Sequence, residues 1–310
     1  MNEANGTPNS QETGALLPAD FFSNRGVQRL CQDAGMVPSK ALGQNFLFQR
    51  STLRAMVRDL GLEPGMAVVE VGCGFGHLTQ TLLEAGYPVV AFETDSRLYE
   101  SIVQHSCSRL EVVHSDIRSY DLTPWLEGPH STAVVGNLPY SSAMSILFHL
   151  LTYYTKVSAW GFLLQREVGD RVKASPGSAD YGRLSVMLQY LFHIRVLRKV
   201  GRGCFHPRPK VESAWLRFLP RQEADIELAL SWMEPLVKAA FSHRRKKLST
   251  NLTGASVGGI CLTKKLVQDY LHKVGAESNH RAENLSSRQY ASLASKIRQL
   301  STESSPQIPN

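Results

Sequence analysis

Gly136-Asn137-Leu138-Pro139-Tyr140 follows the apolar run Thr132-Ala133-Val134-Val135. A buried strand therefore delivers, in order, an amide, a main-chain carbonyl, a stiff turn and an aromatic ring. The Asn137 side-chain oxygen and the Leu138 carbonyl can accept the two N–H bonds of an exocyclic amine such as adenine N6. That nitrogen is a poor nucleophile because its lone pair is delocalised into the ring. Two acceptors hold it in a more tetrahedral geometry and stabilise the positive charge that develops as it attacks. Pro139 restricts the backbone so that the carbonyl points outward. Tyr140 offers a face on which an extruded base can stack, worth roughly 1–3 kcal/mol. The plainer alternative is an Asn-x-Pro turn followed by a core tyrosine.

A second constellation lies upstream. Glu70-Val71-Gly72-Cys73-Gly74-Phe75-Gly76 follows one apolar run and opens an amphipathic one. Glycines let the backbone turn sharply and approach a ligand, and a helix N-terminus offers N–H groups to it. The third glycine of a dinucleotide fingerprint would fall on His77, so the pattern is G-x-G-x-G instead. Glu93 ends the next apolar run, where a carboxylate can accept both hydroxyls of a ribose. Asp116 follows the third, placed to accept from an adenine amino group. Either acid alone reads as a solvated loop residue. Three consecutive strand ends with suitable groups point to a nucleoside-binding edge.

These groups need a parallel sheet to bring them together. Short apolar runs at 66–71, 88–93, 110–114, 132–136 and 159–164 alternate with helical stretches at 77–85, 96–104 and 142–151. That alternation predicts an α/β fold with a sheet covered on both faces. Runs at 194–200 and 214–219 could close the sheet with antiparallel strands. Pro220 ends that region, and no strand is expected beyond it. Residues 223–241, 264–273 and 286–300 read as helices. The expected organisation is a tail over 1–24, a sheet domain with N-terminal helices over 25–220, a helical domain over 221–300 and a tail over 301–310. Both tails read as disordered.

The G-x-G-x-G loop resembles that of S-adenosylmethionine-dependent methyltransferases, and the Asn137–Tyr140 stretch resembles the (N/D)-P-P-Y motif of enzymes that methylate exocyclic amines. A longer series narrows this: ALGQNFL at 41–47, LQREV at 164–168, YGRLSV at 181–186, FHPRPKV at 205–211, AFSHRRK at 240–246 and RAENL at 281–285. Spanning about residues 25–300 in order, it resembles the KsgA family of ribosomal RNA adenine dimethyltransferases. The resemblance implies a Rossmann-like class I methyltransferase sheet with a small C-terminal α-helical domain. It implies S-adenosyl-L-methionine as donor, and dimethylation of two adjacent adenosines near the 3′ end of 16S rRNA in the small ribosomal subunit. It further implies that Asn45, Leu47, Gly72, Gly74, Glu93, Asp116 and Asn137 hold the donor, and that Phe205 sandwiches the target base opposite Tyr140, with Asn137 and Leu138 at the amine. Two departures stand out. The family usually has proline at Cys73, and Asn-Ile where this chain has Ser141-Ser142.

An Erm-type methyltransferase of large-subunit RNA shares the donor site, the Asn-Leu-Pro-Tyr motif and the Phe-His-Pro-x-Pro-Lys-Val stretch. Residues 241–246 and 281–284 favour KsgA over it. A non-catalytic assembly or transcription factor on the same fold is the third reading, against which intact Asn137, Tyr140 and Glu93 argue.

The 310-residue chain carries a net charge of +7 and is 43% apolar. The charge favours a polyanionic partner only slightly. Ser242-His243-Arg244-Arg245-Lys246-Lys247 concentrates it, and four consecutive cations repel unless solvated or paired with phosphates. Arg208 and Lys210 flank Phe205 and could grip phosphates beside the base. Five scattered cysteines form no C-x-x-C pair, so neither a metal site nor a disulfide framework is expected. No apolar stretch approaches the roughly 20 residues of a membrane span. The polar first 20 residues lack Lys and Arg and resemble no export signal. The expectation is a cytoplasmic monomer.

Overall fold

The structure, a computed structural model, describes residues 18–39, 43–127, 131–139 and 142–303. The chain begins with α1 (Asn24–Asp33), β1 (Phe46–Leu47), α2 (Arg50–Leu60), β2 (Ala67–Val71) and α3 (His77–Glu84). It continues through β3 (Val89–Glu93), α4 (Ser96–Val103), β4 (Leu110–His114), α5 (Thr123–Leu126), β5 (Thr132–Asn137) and α6 (Ala143–Leu150). Next come β6 (Val157–Gln165), α7 (Arg166–Lys173), α8 (Arg183–Leu191), β7 (Phe192–Val200), β8 (Phe205–His206) and β9 (Ser213–Pro220). A π-helical turn, Leu228–Met233, leads into α9 (Glu234–Ala240). The last elements are α10 (Leu248–Leu252), β10 (Ser256–Val257), β11 (Ile260–Cys261), α11 (Lys264–Lys273) and α12 (Ser287–Glu303).

Seven strands form one sheet in the order β4-β3-β2-β5-β6-β9-β7. β2 pairs in parallel with β3 and β5, β3 with β4, and β5 with β6. Parallel neighbours need crossover helices, which cover both sheet faces and favour apolar residues at successive positions of the inner strands. Val68, Val69, Ala91, Phe92, Ala133, Val134 and Val135 are accordingly at most 1% exposed. The chain runs outward from β2 through β3 to β4, then returns to the other side of β2 as β5. Such a reversal leaves a crevice at the carboxyl ends of the strands. Only glycine fits at position 136 on β5, because a Cβ there would lie 2.5 Å from the Val71 carbonyl oxygen of β2. Asn137 is thereby brought close beside the glycine loop.

The chain divides into two compact units, one of Met1–Arg166 with Val196–Arg217 and one of Glu167–Arg195 with Phe218–Asn310. A boundary near 220 was expected. The structure additionally groups Glu167–Arg195 with the C-terminal helices, because α8 packs on α9 and α12. Val186, Met187, Leu188 and Leu191 of α8 are at most 1% exposed, so the helix is buried nearly all round and shows no amphipathic period. The core of the second unit also contains Met233, Leu236, Val237, Leu252, Leu285, Tyr290 and Ile297.

Three details correct the expected organisation. Residues 18–24 are ordered: Phe21 is 4% exposed and its ring stacks on His77 with centroids 4.2 Å apart. A short antiparallel hairpin, β10 with β11, lies where no strand was expected. At the other end, α12 runs to Glu303, into the segment read as a tail. Among the described residues no helix is long and apolar enough to cross a membrane.

Candidate active site

The carboxyl ends of β2, β3, β4 and β5 open into a cleft of about 810 Å3. Asn45, Leu47, Gly72, Gly74, Glu93, Asp116 and Asn137, the residues expected to hold a donor, all line it. Gly72 and Gly74 have φ of 72° and 57°, the left-handed conformation that glycine adopts without strain. A Cβ on Gly74 would sit 3.1 Å from the Phe46 ring. The loop can therefore turn tightly under β1 only with glycine there.

Glu93 is 7% exposed. Its Oε2 accepts from the Gly74 N–H at 2.8 Å, and its Oε1 from the Thr94 and Asp95 N–H groups at 2.8 and 3.0 Å. Burial raises its pKa, and the three N–H groups pull the other way. Asp95 caps α4 and accepts from Gln44 Nε2 at 3.0 Å. Gln44 thus ties the segment before β1 to the end of β3.

Asn137 Nδ2 donates to the Asn45 carbonyl at 2.9 Å. This bond fixes the donor end of the amide and leaves the acceptor oxygen at the other end. Leu138 donates its N–H to the Leu163 carbonyl at 3.2 Å, and the residue, main chain included, is 1% exposed. Unlike its neighbours Asn137 and Pro139, Leu138 does not line the cleft, so its carbonyl is not open to a ligand in this conformation. Phe205 does not line the cleft. It pairs with Leu47 between β8 and β1 and is 3% exposed in the core, so its ring presents no free face for a base in this conformation. Tyr140 and Ser141 lie outside the described residues, as do Ala41 and Leu42.

Asp116 is held by Arg118, whose guanidinium lies 2.5 Å from Oδ2 and keeps the carboxyl below the usual range. Its acceptor role was read from the sequence, but this pairing was not. Glu70 was also missed. It lines the cleft, is 1% exposed, and accepts from Thr79 Oγ1 at 2.6 Å. Burial pushes its pKa up to about 7, the Thr79 bond opposes this and nearby Glu93 adds to it. A glutamate inside the apolar run Met66-Ala67-Val68-Val69-Glu70-Val71 was the available signal. His77, also in the lining, donates its Nε2–H to the Phe21 carbonyl at 2.9 Å, and burial lowers its pKa to about 4. Cys73 takes the place of the family's usual proline. Burial and the two glutamates keep its thiol protonated.

The basic residues fall into three groups. Arg208 and Lys210 are exposed after β8. Residues 242–247 form turns between α9 and α10 rather than a helix end. There Arg244 Nη2 donates to the Ala179 and Tyr181 carbonyls at 2.6 and 3.0 Å, so this guanidinium braces the helical unit. Arg245, Lys246 and Lys247 are exposed.

Residues 38–299 match the family model described as ribosomal RNA adenine dimethylase. The chain belongs to that family. Among curated relatives it is 38% identical to "Ribosomal RNA small subunit methyltransferase A" of Geobacter metallireducens, over 84% of this chain and 95% of the relative. The protein of the same name from Nitrosospira multiformis is 39% identical, over 83% and 95%. The fold matches a dimethyladenosine transferase from Plasmodium falciparum with a TM-score of 0.66 at 20% identity, covering 80% of this chain and 96% of that one. It matches the 23S rRNA methyltransferase ErmE with a TM-score of 0.57 at 26% identity, covering 82% and 100%. The class I methyltransferase fold is thereby established, and the chain is an S-adenosylmethionine-dependent rRNA adenine methyltransferase. The cleft fits that donor. Its volume is in the ~300–1,000 Å3 range of small-molecule sites, and it combines a glycine cradle with recessed carboxylates.

The two buried groups titrate in opposite senses. Glu70 is more basic folded than unfolded, so its contribution to stability is full below about 4.5 and is lost as pH rises to about 7. His77 is less basic folded, so its contribution is present above 6.5 and is lost as pH falls to about 4. In the parent these trends oppose each other. Glu70→Gln keeps an acceptor for Thr79 and removes the first trend. Relative to the parent, it should gain on the order of 3 kcal/mol of stability between pH 4.5 and 7.5. Urea unfolding across that range checks this, and a pH-independent difference would mean that Glu70 is not held protonated by burial.

Proposed function

We propose that this enzyme transfers methyl groups from S-adenosylmethionine to N6 of two adjacent adenosines near the 3′ end of small-subunit rRNA, acting as a monomer. The observation that carries the reading is the Asn137–Asn45 bond at the wall of the cleft, together with relatives named for the small subunit across nearly their whole length.

The donor supplies an electrophilic methyl group, and the protein supplies position and electrostatics. The Gly72–Gly74 turn and the Glu93 carboxylate hold the nucleoside end, and Asp116 accepts from its base. Asn137 presents an acceptor whose rotation is locked by the Asn45 carbonyl. A locked acceptor costs no reorganisation as charge develops on N6. The Leu138 carbonyl, once turned into the cleft, accepts the second N–H. No strong general base is needed, since the methylated ammonium-like nitrogen loses its proton readily. Tyr140 and Phe205 are the proposed stacking partners, and Phe205 must present a face that the structure holds in the core.

Methyl transfer discriminates the readings. Tritiated donor should label under-methylated small subunits and leave large subunits unlabelled. Label confined to large subunits would instead favour the Erm-type activity. Asn137→Ala should lower single-turnover transfer on the order of 10²–10³-fold while subunit affinity changes little. Parent-like transfer would reduce Asn137 to a turn residue.

Phosphate contacts are proposed for Arg208, Lys210, Arg245, Lys246 and Lys247, with Arg244 set mainly to bracing. Replacing Arg245, Lys246 and Lys247 with Gln should flatten the log–log salt dependence of subunit binding by about 2, at roughly 0.7 per lost contact. Donor affinity should stay unchanged. A parent-like slope would show that these side chains do not meet phosphate.

A further inference from the structure

Two Asp-x-Arg triplets stand at the ends of consecutive strands, Asp95-Ser96-Arg97 after β3 and Asp116-Ile117-Arg118 after β4. All four charged residues line the cleft. In each triplet the aspartate accepts from the arginine's own main-chain N–H and is gripped by its guanidinium. The two are not equivalent. The Asp95 side chain is 7% exposed and also accepts from Gln44, which makes it a fixed corner. The Asp116 side chain is 34% exposed, and the hydrogen bonds its carboxylate accepts come from Arg118.

Those bonds are numerous. Oδ1 takes the Arg118 N–H at 2.9 Å and Nε at 3.0 Å, while Oδ2 takes Nε at 3.1 Å and Nη2 at 2.5 Å. A carboxylate offers about four acceptor positions, so little capacity is left for a further donor. Arg118 also has another place to rest. Its Nη1 lies 3.4 Å from Ser145 Oγ on α6, and its side chain is 45% exposed.

We propose that Arg118 competes with the 6-amino group of the donor's adenine for Asp116, so that donor binding displaces the guanidinium and Arg118 sets donor affinity. This rests on the reading that Asp116 accepts from that amino group. The exchange swaps a solvent-exposed ion pair for a neutral N–H bond to the same carboxylate. An exposed ion pair contributes on the order of fivefold at most to an equilibrium, so the exchange is feasible and its effect measurable. Arg118 is here a specificity-tuning residue that acts through Asp116, and the adenine contact belongs to Asp116 itself.

Calorimetric titration of S-adenosylhomocysteine into the full chain tests the idea. Arg118→Gln keeps the side-chain length and removes the charge. It should bind S-adenosylhomocysteine about three- to fivefold more tightly than the parent, the scale of an exposed ion pair. An analogue with hydrogen in place of the 6-amino group should bind the parent and Arg118→Gln equally. Asp116→Ala should bind S-adenosylhomocysteine more weakly than the parent. Unchanged affinity in Asp116→Ala would sink the reading of Asp116, and the proposal with it. Weakened binding in Asp116→Ala alongside unchanged or weaker binding in Arg118→Gln would overturn the competition alone. Tightening that extends to the amine-less analogue would also overturn it, by placing the Arg118 effect elsewhere than at the amino group.

Discussion

Glu93 places an acidic group at the end of β3 where only 7% of the residue meets solvent. Removing a carboxylate from water costs several kcal/mol unless donors replace the lost hydration. The donors here are main-chain N–H groups of Gly74, Thr94 and Asp95. One comes from the loop after β2 and two from the turn into α4. The carboxylate therefore ties two adjacent strand ends together, and the left-handed turn at Gly74 is what aims that N–H. Among the described residues no cation pairs with Glu93, so the acid keeps acceptor capacity toward the cleft.

The second tie runs through Asn137. Its bond to the Asn45 carbonyl joins β5 to the segment before β1, and Gln44 in that segment reaches Asp95. β1 then pairs with β8, which places Leu47 beside Phe205. One short strand thus joins a residue of the cleft wall, Leu47, to Phe205 in the core.

The sheet was readable because buried parallel strands leave a strong mark. β4 begins and ends as its apolar run does, and β5 extends the expected run by one residue, Asn137. The helical unit was harder. α8 is buried nearly all round, and the turn Leu228–Met233 is π-helical, so neither shows the stripe of an amphipathic helix. The order at residues 18–24 depends on Phe21 meeting His77, a partner 56 residues away that no local pattern discloses. At the site, glycine and acid types were legible because the chemistry restricts them. What escaped was pairing: Arg118 on Asp116, Arg244 on the carbonyls of Ala179 and Tyr181, and the burial of Phe205. Each depends on where a side chain ends, and sequence spacing does not contain that.

The distribution of cations separates two physical tasks. Within the cleft, Arg97 and Arg118 are matched by Asp95 and Asp116, so their charge is largely spent locally. Arg208, Lys210, Arg245, Lys246 and Lys247 are exposed and enter none of the ion pairs formed among the described residues. Exposed, unmatched cations attract a polyanion at long range and lose that attraction as salt rises. Matched cations contribute little to capture but shape what the carboxylates can accept. Long-range attraction of a polyanion and the acceptor chemistry of the cleft therefore rest on different side chains.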